Sequence, residues 1–242
     1  MRLDRFLTAG GLYTRSEAKG LVRAGRVSVN GVCARRPEAQ VEETARVIAD
    51  GEQIHYREFY YLMLNKPAGV LSATEDRRDP TALDLLPERY CRIGVFPAGR
   101  LDKDAEGFLL LTNHGALAHA LMSPRHHVDK VYFARVDGPL TEEDCAAFEA
   151  GVIIDGDYKT MPAKLQILSS GAVSEAEVTV QEGRFHQVKK MFLARNRCVI
   201  YLKRLSIADV KLDFSLQTGE FRELTEQEEN QLLARENTKM SQ

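Results

Sequence analysis

Strand-like segments follow one another along most of this chain with few helices between them, and that alternation limits the fold more than any other feature. Residues 60–67, 69–72, 108–112, 130–136, 152–154, 163–167, 176–180, 199–202 and 210–212 each read as a strand, by period-two alternation or as a short apolar run. Helical patterns fall at 115–122, from 141 onward, at 187–194 and at 225–233. Strands that adjoin without an intervening helix exclude regular βαβ winding. They predict an α+β fold, with a mixed, mainly antiparallel sheet flanked by helices. The longest uninterrupted apolar run, 59–64, has six residues. A spanning helix needs about 20, so no membrane partner is expected.

The first 36 residues read differently. Leu3, Phe6 and Leu7 form a short helical stripe that Gly10-Gly11 ends. Thr14 and Glu17 have the spacing of a capping box opening a second helix, with Ala18, Leu21 and Val22 on its apolar face and Gly25 as its stop. Val27 to Val32 alternates around Asn30-Gly31, a hairpin signal. Val41 and Val47-Ile48 are further strand candidates. Residues 42–58 are polar and weakly periodic, and read as a flexible tether. The organisation expected is a small helix-helix-hairpin domain with its linker at 1–58, a larger domain at 59–232, and a flexible tail at 233–242.

The formal net charge is −2, which argues against a polyanion partner only if the charge is evenly spread. It is not. Residues 1–36 carry eight basic and two acidic side chains, a balance of +6. Arg15, Lys19, Arg23 and Arg26 lie among them. A second stretch, 184–204, holds seven basic residues and no acid, including Arg184, Lys189 and Lys190. Two basic stretches in an acidic chain fit a nucleic-acid footprint, because phosphate contact releases counterions. A solvated helix face is the competing reading of either stretch alone.

Several chemistries lack support. No P-loop is present, and no GxGxxG follows a strand. His114 and His119 are five apart, not on one helix face, so no metal is expected. Asp102, Asp104 and Glu106 followed by Gly107 imitate the start of a calcium loop, but Asn113 stands where a bidentate carboxylate is needed. Cys33, Cys91, Cys145 and Cys198 form no CxxC pair, and the opening residues lack an apolar leader. Buried, reduced thiols in a cytoplasmic protein are expected. What remains is a carboxylate, Asp102, on a tight loop before a buried strand, where it can serve as nucleophile, base or mere turn-former.

The phrase Gly99 to Asn113, with its Arg100-Leu101-Asp102 core, closely resembles the signature of pseudouridine synthases of the RsuA type. Leu64 to Gly69 resembles the opening strand of that family, Ser123 to His127 with Lys130-Val131-Tyr132 its central segment, and Glu182 to Met191 its late motif. Residues 1–48 resemble an S4 RNA-binding domain, including Ser16-Glu17-Ala18, Gly25-Arg26-Val27 and Val29-Asn30-Gly31. The resemblance covers about 1–228. It departs at Ala105, where a hydroxyl residue is usual, and at His114, where an acid is common.

The resemblance implies isomerisation of uridine to pseudouridine in ribosomal RNA, with no cofactor and no metal. Asp102 would be the catalytic carboxylate, needed ionised, with Lys189 as its charge partner. Tyr132 would stack on the target uracil. Arg100 would hold phosphate or fill the gap left when the base is flipped out. Arg184, Lys190 and the N-terminal Arg15, Lys19, Arg23 and Arg26 would contact RNA. The wording at 185–189 is most similar to enzymes of small-subunit 16S rRNA. An enzyme of 23S rRNA and a non-catalytic, ribosome-associated RNA binder are the alternatives. The expected partner is rRNA within a pre-ribosomal particle, and the expected state is a monomer.

Overall fold

The computed structural model describes residues 1–237. It divides into two compact units, one made of Met1–Tyr60 with Leu86–Val95, the other of Tyr61–Leu85 with the chain from Phe96 onward.

In the first unit, α1 (Leu3–Thr8) and α2 (Arg15–Arg23) pack on a four-stranded sheet. The predicted capping box is present: the Glu17 amide donates to Thr14 Oγ1 at 3.3 Å, and the Thr14 amide to Glu17 Oε2 at 2.7 Å. Strands β1 (Val27–Val29) and β2 (Val32–Cys33) form the expected hairpin, with Asn30 and Gly31 both at positive φ. Residues 42–58 are not a tether. They hold β3 (Val47–Ala49) and β4 (Glu52–Ile54), which extend the sheet in the order β2-β1-β3-β4. Asp50-Gly51, also at positive φ, is the turn between them, and Val47, Ala49 and Ile54 are buried against Phe6, Leu7 and Val22. The segment is polar because the strands are short and bury one face. Helix α3 (Glu88–Arg92), not predicted, belongs to this unit, with Tyr90 edge-on to Tyr60 at 6.4 Å.

The second unit contains β5 (Tyr61–Lys66), β6 (Phe96–Pro97), β7 (Glu106–Thr112), α4 (Gly115–Met122), β8 (Lys130–Asp137), α5 (Glu142–Ala150), β9 (Ile153–Ile154), β10 (Tyr158–Lys159), β11 (Lys164–Ser169), β12 (Val173–Val180), α6 (Gln187–Leu193), β13 (Val199–Ile207), β14 (Val210–Lys211), β15 (Phe221–Glu223) and α7 (Glu226–Asn237). Nine of its strands form one sheet, in the order β11-β12-β8-β13-β7-β5-β15, with β14 paired to β13 and β6 to β7. Among the described residues, every pairing in it is antiparallel except that of β13 with β7. The α+β class is therefore as expected. Phe108 to Leu111 are fully buried on both faces of β7, each side chain contributing roughly 2 kcal/mol of burial.

Some local expectations change. Residues 69–72 are not a strand; Leu71 makes only an isolated bridge to Thr81, because Gly69 turns the backbone at φ +86. Strand β15 is unpredicted and pairs with β5. The helix α7 runs to Asn237, through part of the supposed tail, and 238–242 lie outside the described residues. The cysteines form no disulfide, but Cys33, Cys91 and Cys198 are exposed rather than buried. Cys33 is exposed because it sits on the edge strand β2.

Candidate active site

The loop before β7, the inner face of β8 and β13, and the turn before α6 enclose a cleft of about 310 Å³. Gly99 to Asp102 line it from the first, Lys130, Tyr132, Leu202 and Arg204 from the second, and Glu182 to Val188 from the third. The parallel β7–β13 pairing sets Gly107 opposite Arg204 and so brings the aspartate loop beside the sheet's centre.

Asp102 is held at the cleft by Lys189, whose Nζ lies 3.1 Å from Asp102 Oδ2. The same ammonium donates to Asp104 Oδ1 at 2.5 Å. Burial acts to depress the Lys189 ammonium, but hydrogen bonds to Asp104 and Asp102, with their charges, outweigh it and hold its pKa above the ordinary lysine value. Asp104 is held below the usual carboxylate range by its hydrogen bond to Lys189. Sequence reasoning paired Lys189 with Asp102 and missed Asp104, although the Asp-x-Asp spacing was its signal.

His186 was also missed as a site residue. It has φ +54, and its Nε2 stands 3.7 Å from Asp102 Oδ1. Its ring stacks on Phe185 at 3.8 Å. This turn is anchored from below by buried Glu182, which accepts from Tyr158 Oη at 2.7 Å and from the Met161 amide and Gln187 Nε2 at 2.9 Å each. Gln187 Oε1 in turn accepts from the Arg184 amide.

Of the predicted RNA contacts, Arg100 and Arg184 are exposed and line the cleft. Arg184 also stacks over the Tyr158 ring at 3.2 Å. Lys190 points to Asp155, 2.6 Å away, and does not line the cleft. Arg15, Lys19 and Arg23 recur every fourth residue along α2 and form one basic stripe. Arg26 lies beyond that helix, paired with Asp50 at 2.5 Å. Ala105 is buried, and its carbonyl, not a hydroxyl, makes the supporting contact described next. His114 bonds through Nδ1 to Tyr61 Oη at 3.0 Å.

Lys66 fixes the aspartate loop. Its fully buried ammonium donates to the carbonyls of Pro67 and Ala105 at 2.8 Å and of Lys103 at 3.3 Å. Burial, stronger than the attraction of Asp104, Glu106 and Asp102, lowers it from 10.5 to about 8. Below pH 8 the folded and unfolded chains both carry this proton, and the desolvation cost is felt in full. Between pH 8 and 10.5 the folded chain gives it up while the unfolded chain keeps it, so stability rises with pH. Urea unfolding of wild type and Lys66→Met should therefore diverge in favour of wild type by about 2 kcal/mol between pH 7 and pH 10. A pH-independent difference contradicts the buried charge.

The sheet, with an aspartate loop and a basic turn meeting at its centre, is that of an RNA pseudouridylate synthase. The family model described as RNA pseudouridylate synthase matches residues 60–194, and the S4 domain model matches 1–47. The chain belongs to that family. It is 50% identical over 230 residues to the "Uncharacterized RNA pseudouridine synthase YtzG" of Bacillus subtilis, covering 94% of this chain and 96% of the relative. It is 35% identical over 230 residues to the "Ribosomal small subunit pseudouridine synthase A" of Escherichia coli, covering 94% and 98%. A crystal structure of a pseudouridylate synthase matches with a TM-score of 0.68 at 36% identity, over 96% of this chain and 99% of that one.

Proposed function

We propose that this protein converts a uridine of 16S ribosomal RNA to pseudouridine, with Asp102 acting on the flipped-out nucleotide. The observation that carries the reading is the Asp102–Lys189 pair at the cleft that Tyr132 also lines. Lys189 orients the carboxylate, Tyr132 offers its ring to the uracil, and Arg100 and Arg184 hold the flanking phosphates at the rim. The α2 stripe of Arg15, Lys19 and Arg23 adds sequence-independent affinity. The choice of 16S rRNA is supported by relatives named for the small subunit. The substrate is a pre-ribosomal particle in the cytoplasm, met by a monomer, which makes this a step of ribosome biogenesis.

The test is a map of pseudouridine in rRNA from a strain lacking the gene, with and without the restored protein. One 16S position should lose the modification and regain it. Loss confined to 23S rRNA would move the reading to the large-subunit enzyme. An unchanged map would leave only an RNA-binding role.

A further inference from the structure

Two buried cations face the cleft, and the roles given to Asp102, Lys189 and Tyr132 leave them unused. Lys130 and Tyr132 share the inner face of β8, where inward residues alternate with outer ones. In the antiparallel register of β8 with β13, Arg204 stands opposite Tyr132 and Ile207 opposite Lys130. Arg204 is 1% exposed and Lys130 3%. Arg204 donates through Nε to the Phe108 carbonyl at 2.7 Å and through Nη1 to Tyr132 Oη at 3.3 Å, while its buried Nη2 has no partner. The Lys130 ammonium, with three donors, has one hydrogen bond, to the Val128 carbonyl at 2.9 Å. Among the described residues neither cation forms an ion pair. The nearby buried carboxylate of Glu182 is fully engaged by Tyr158, Met161 and Gln187.

Like charges buried together without an ion pair cost several kcal/mol, and an anion entering the cleft offsets that cost. We propose that Lys130 and Arg204 are a catalytic cation pair that binds the negative charge developing on a carbonyl oxygen of the target uracil. The proposal rests on the reading of the cleft as a uridine-isomerising site. It does not depend on which role Asp102 takes. If the carboxylate bonds to C1′, the C1′–N1 bond breaks and its electron pair stays on the base, spread over N1, C2 and O2. If the carboxylate removes the 2′ proton instead, the same base anion departs. If it adds to C6, the C5–C6 π electrons move onto O4. In each case a carbonyl oxygen gains charge. The turned base then bonds from C5 to C1′: in the first route the carboxylate leaves C1′, in the second C2′ regains its proton, and in the third the C1′–N1 bond breaks in the adduct and the carboxylate afterwards leaves C6. In all three C5 loses its proton to water and N1 takes one, so the net change is isomerisation without any oxidant. Preorganised donors in a water-poor site are the means by which such charge is stabilised. Burial and the charge of Arg204, against the opposing pull of Asp129, lower Lys130 to about 8, so this ammonium keeps its proton at neutral pH.

The experiment uses the full chain with rRNA from the deletion strain, tritiated at uridine C5 and offered naked and in small-subunit particles. Lys130→Met should slow single-turnover tritium release about 100-fold, the order found on removing one oxyanion donor, with RNA affinity within about threefold. Lys130→Arg should recover about tenfold of that. A rate for a folded Lys130→Met within about threefold of wild type overturns the proposal. A second readout needs no folded variant. 5-Nitrouracil, anionic at neutral pH, should compete with RNA at least about tenfold better than uracil against wild type, and Asp102→Asn should keep this preference. A wild type that turns uridine over yet shows no such preference overturns the cation pair and spares the site reading. Absent turnover with the preference intact overturns the site reading alone.

Discussion

Asp102→Asn should lower pseudouridine formation by about 10⁴-fold or more, the order seen when a catalytic carboxylate is removed. RNA affinity should stay within about threefold, because the basic groups that meet phosphate are untouched. The substitution keeps the shape of the side chain and removes its charge. Lys189 retains Asp104, its closer partner, so the turn before α6 stays in place. Stability should fall by no more than about 1 kcal/mol, since the lost ion pair is part-exposed. Tritium release from C5-labelled rRNA reads the first effect, and a filter-binding isotherm on the same RNA reads the second. Turnover within about tenfold of wild type removes Asp102 from the chemistry. Equal loss of turnover and of RNA affinity makes it a binding residue.

Much of this geometry was readable from sequence, and what was not had specific causes. The capping box at Thr14 and Glu17, the Asn30-Gly31 hairpin and most strands of the large sheet follow from local spacing, and the structure has them. The β3–β4 hairpin was overlooked although Asp50-Gly51 is as strong a turn signal as Asn30-Gly31. Its strands of three residues are too short to establish a period. Asp102 stood out only through its long motif, because an aspartate on a loop is by itself an ordinary turn residue. Lys130 and Arg204 were hidden for another reason. Strand β8 carries a cation and an aromatic on each face, Lys130 with Tyr132 inward and Phe133 with Arg135 outward. Alternation therefore cannot tell which face is covered, and charged residues in strands are mostly exposed. Lys66 and Glu182 were quoted in motifs but not as site residues. Their function is to satisfy backbone and side-chain groups of distant loops, which only the tertiary fold brings near.

Gly107→Ala should destabilise the larger unit by about 4 kcal/mol, a sizeable part of the 5–15 kcal/mol available to a typical protein. Gly107 has φ +98, which a residue with a Cβ adopts only under strain. A Cβ there would lie 2.3 Å from the Arg204 carbonyl oxygen and 2.9 Å from its amide nitrogen. These are backbone atoms of the central strand β13. They can move only by opening the parallel pairing of Lys203 with Glu106 and of Arg204 with Gly107. That movement would carry the Arg204 guanidinium away from Tyr132 Oη, so the protein that still folds should also lose turnover. Gly115→Ala is the matched control. Gly115 opens α4 in the same unit, and a Cβ added there would meet nothing within 4 Å. The added methyl raises helix propensity, so stability should hold or rise slightly. Urea midpoints of the two variants against wild type make the comparison. A loss below about 1 kcal/mol for Gly107→Ala would mean that β13 yields at this point, and the close β7–β13 approach would then not be what fixes Arg204 beside Tyr132.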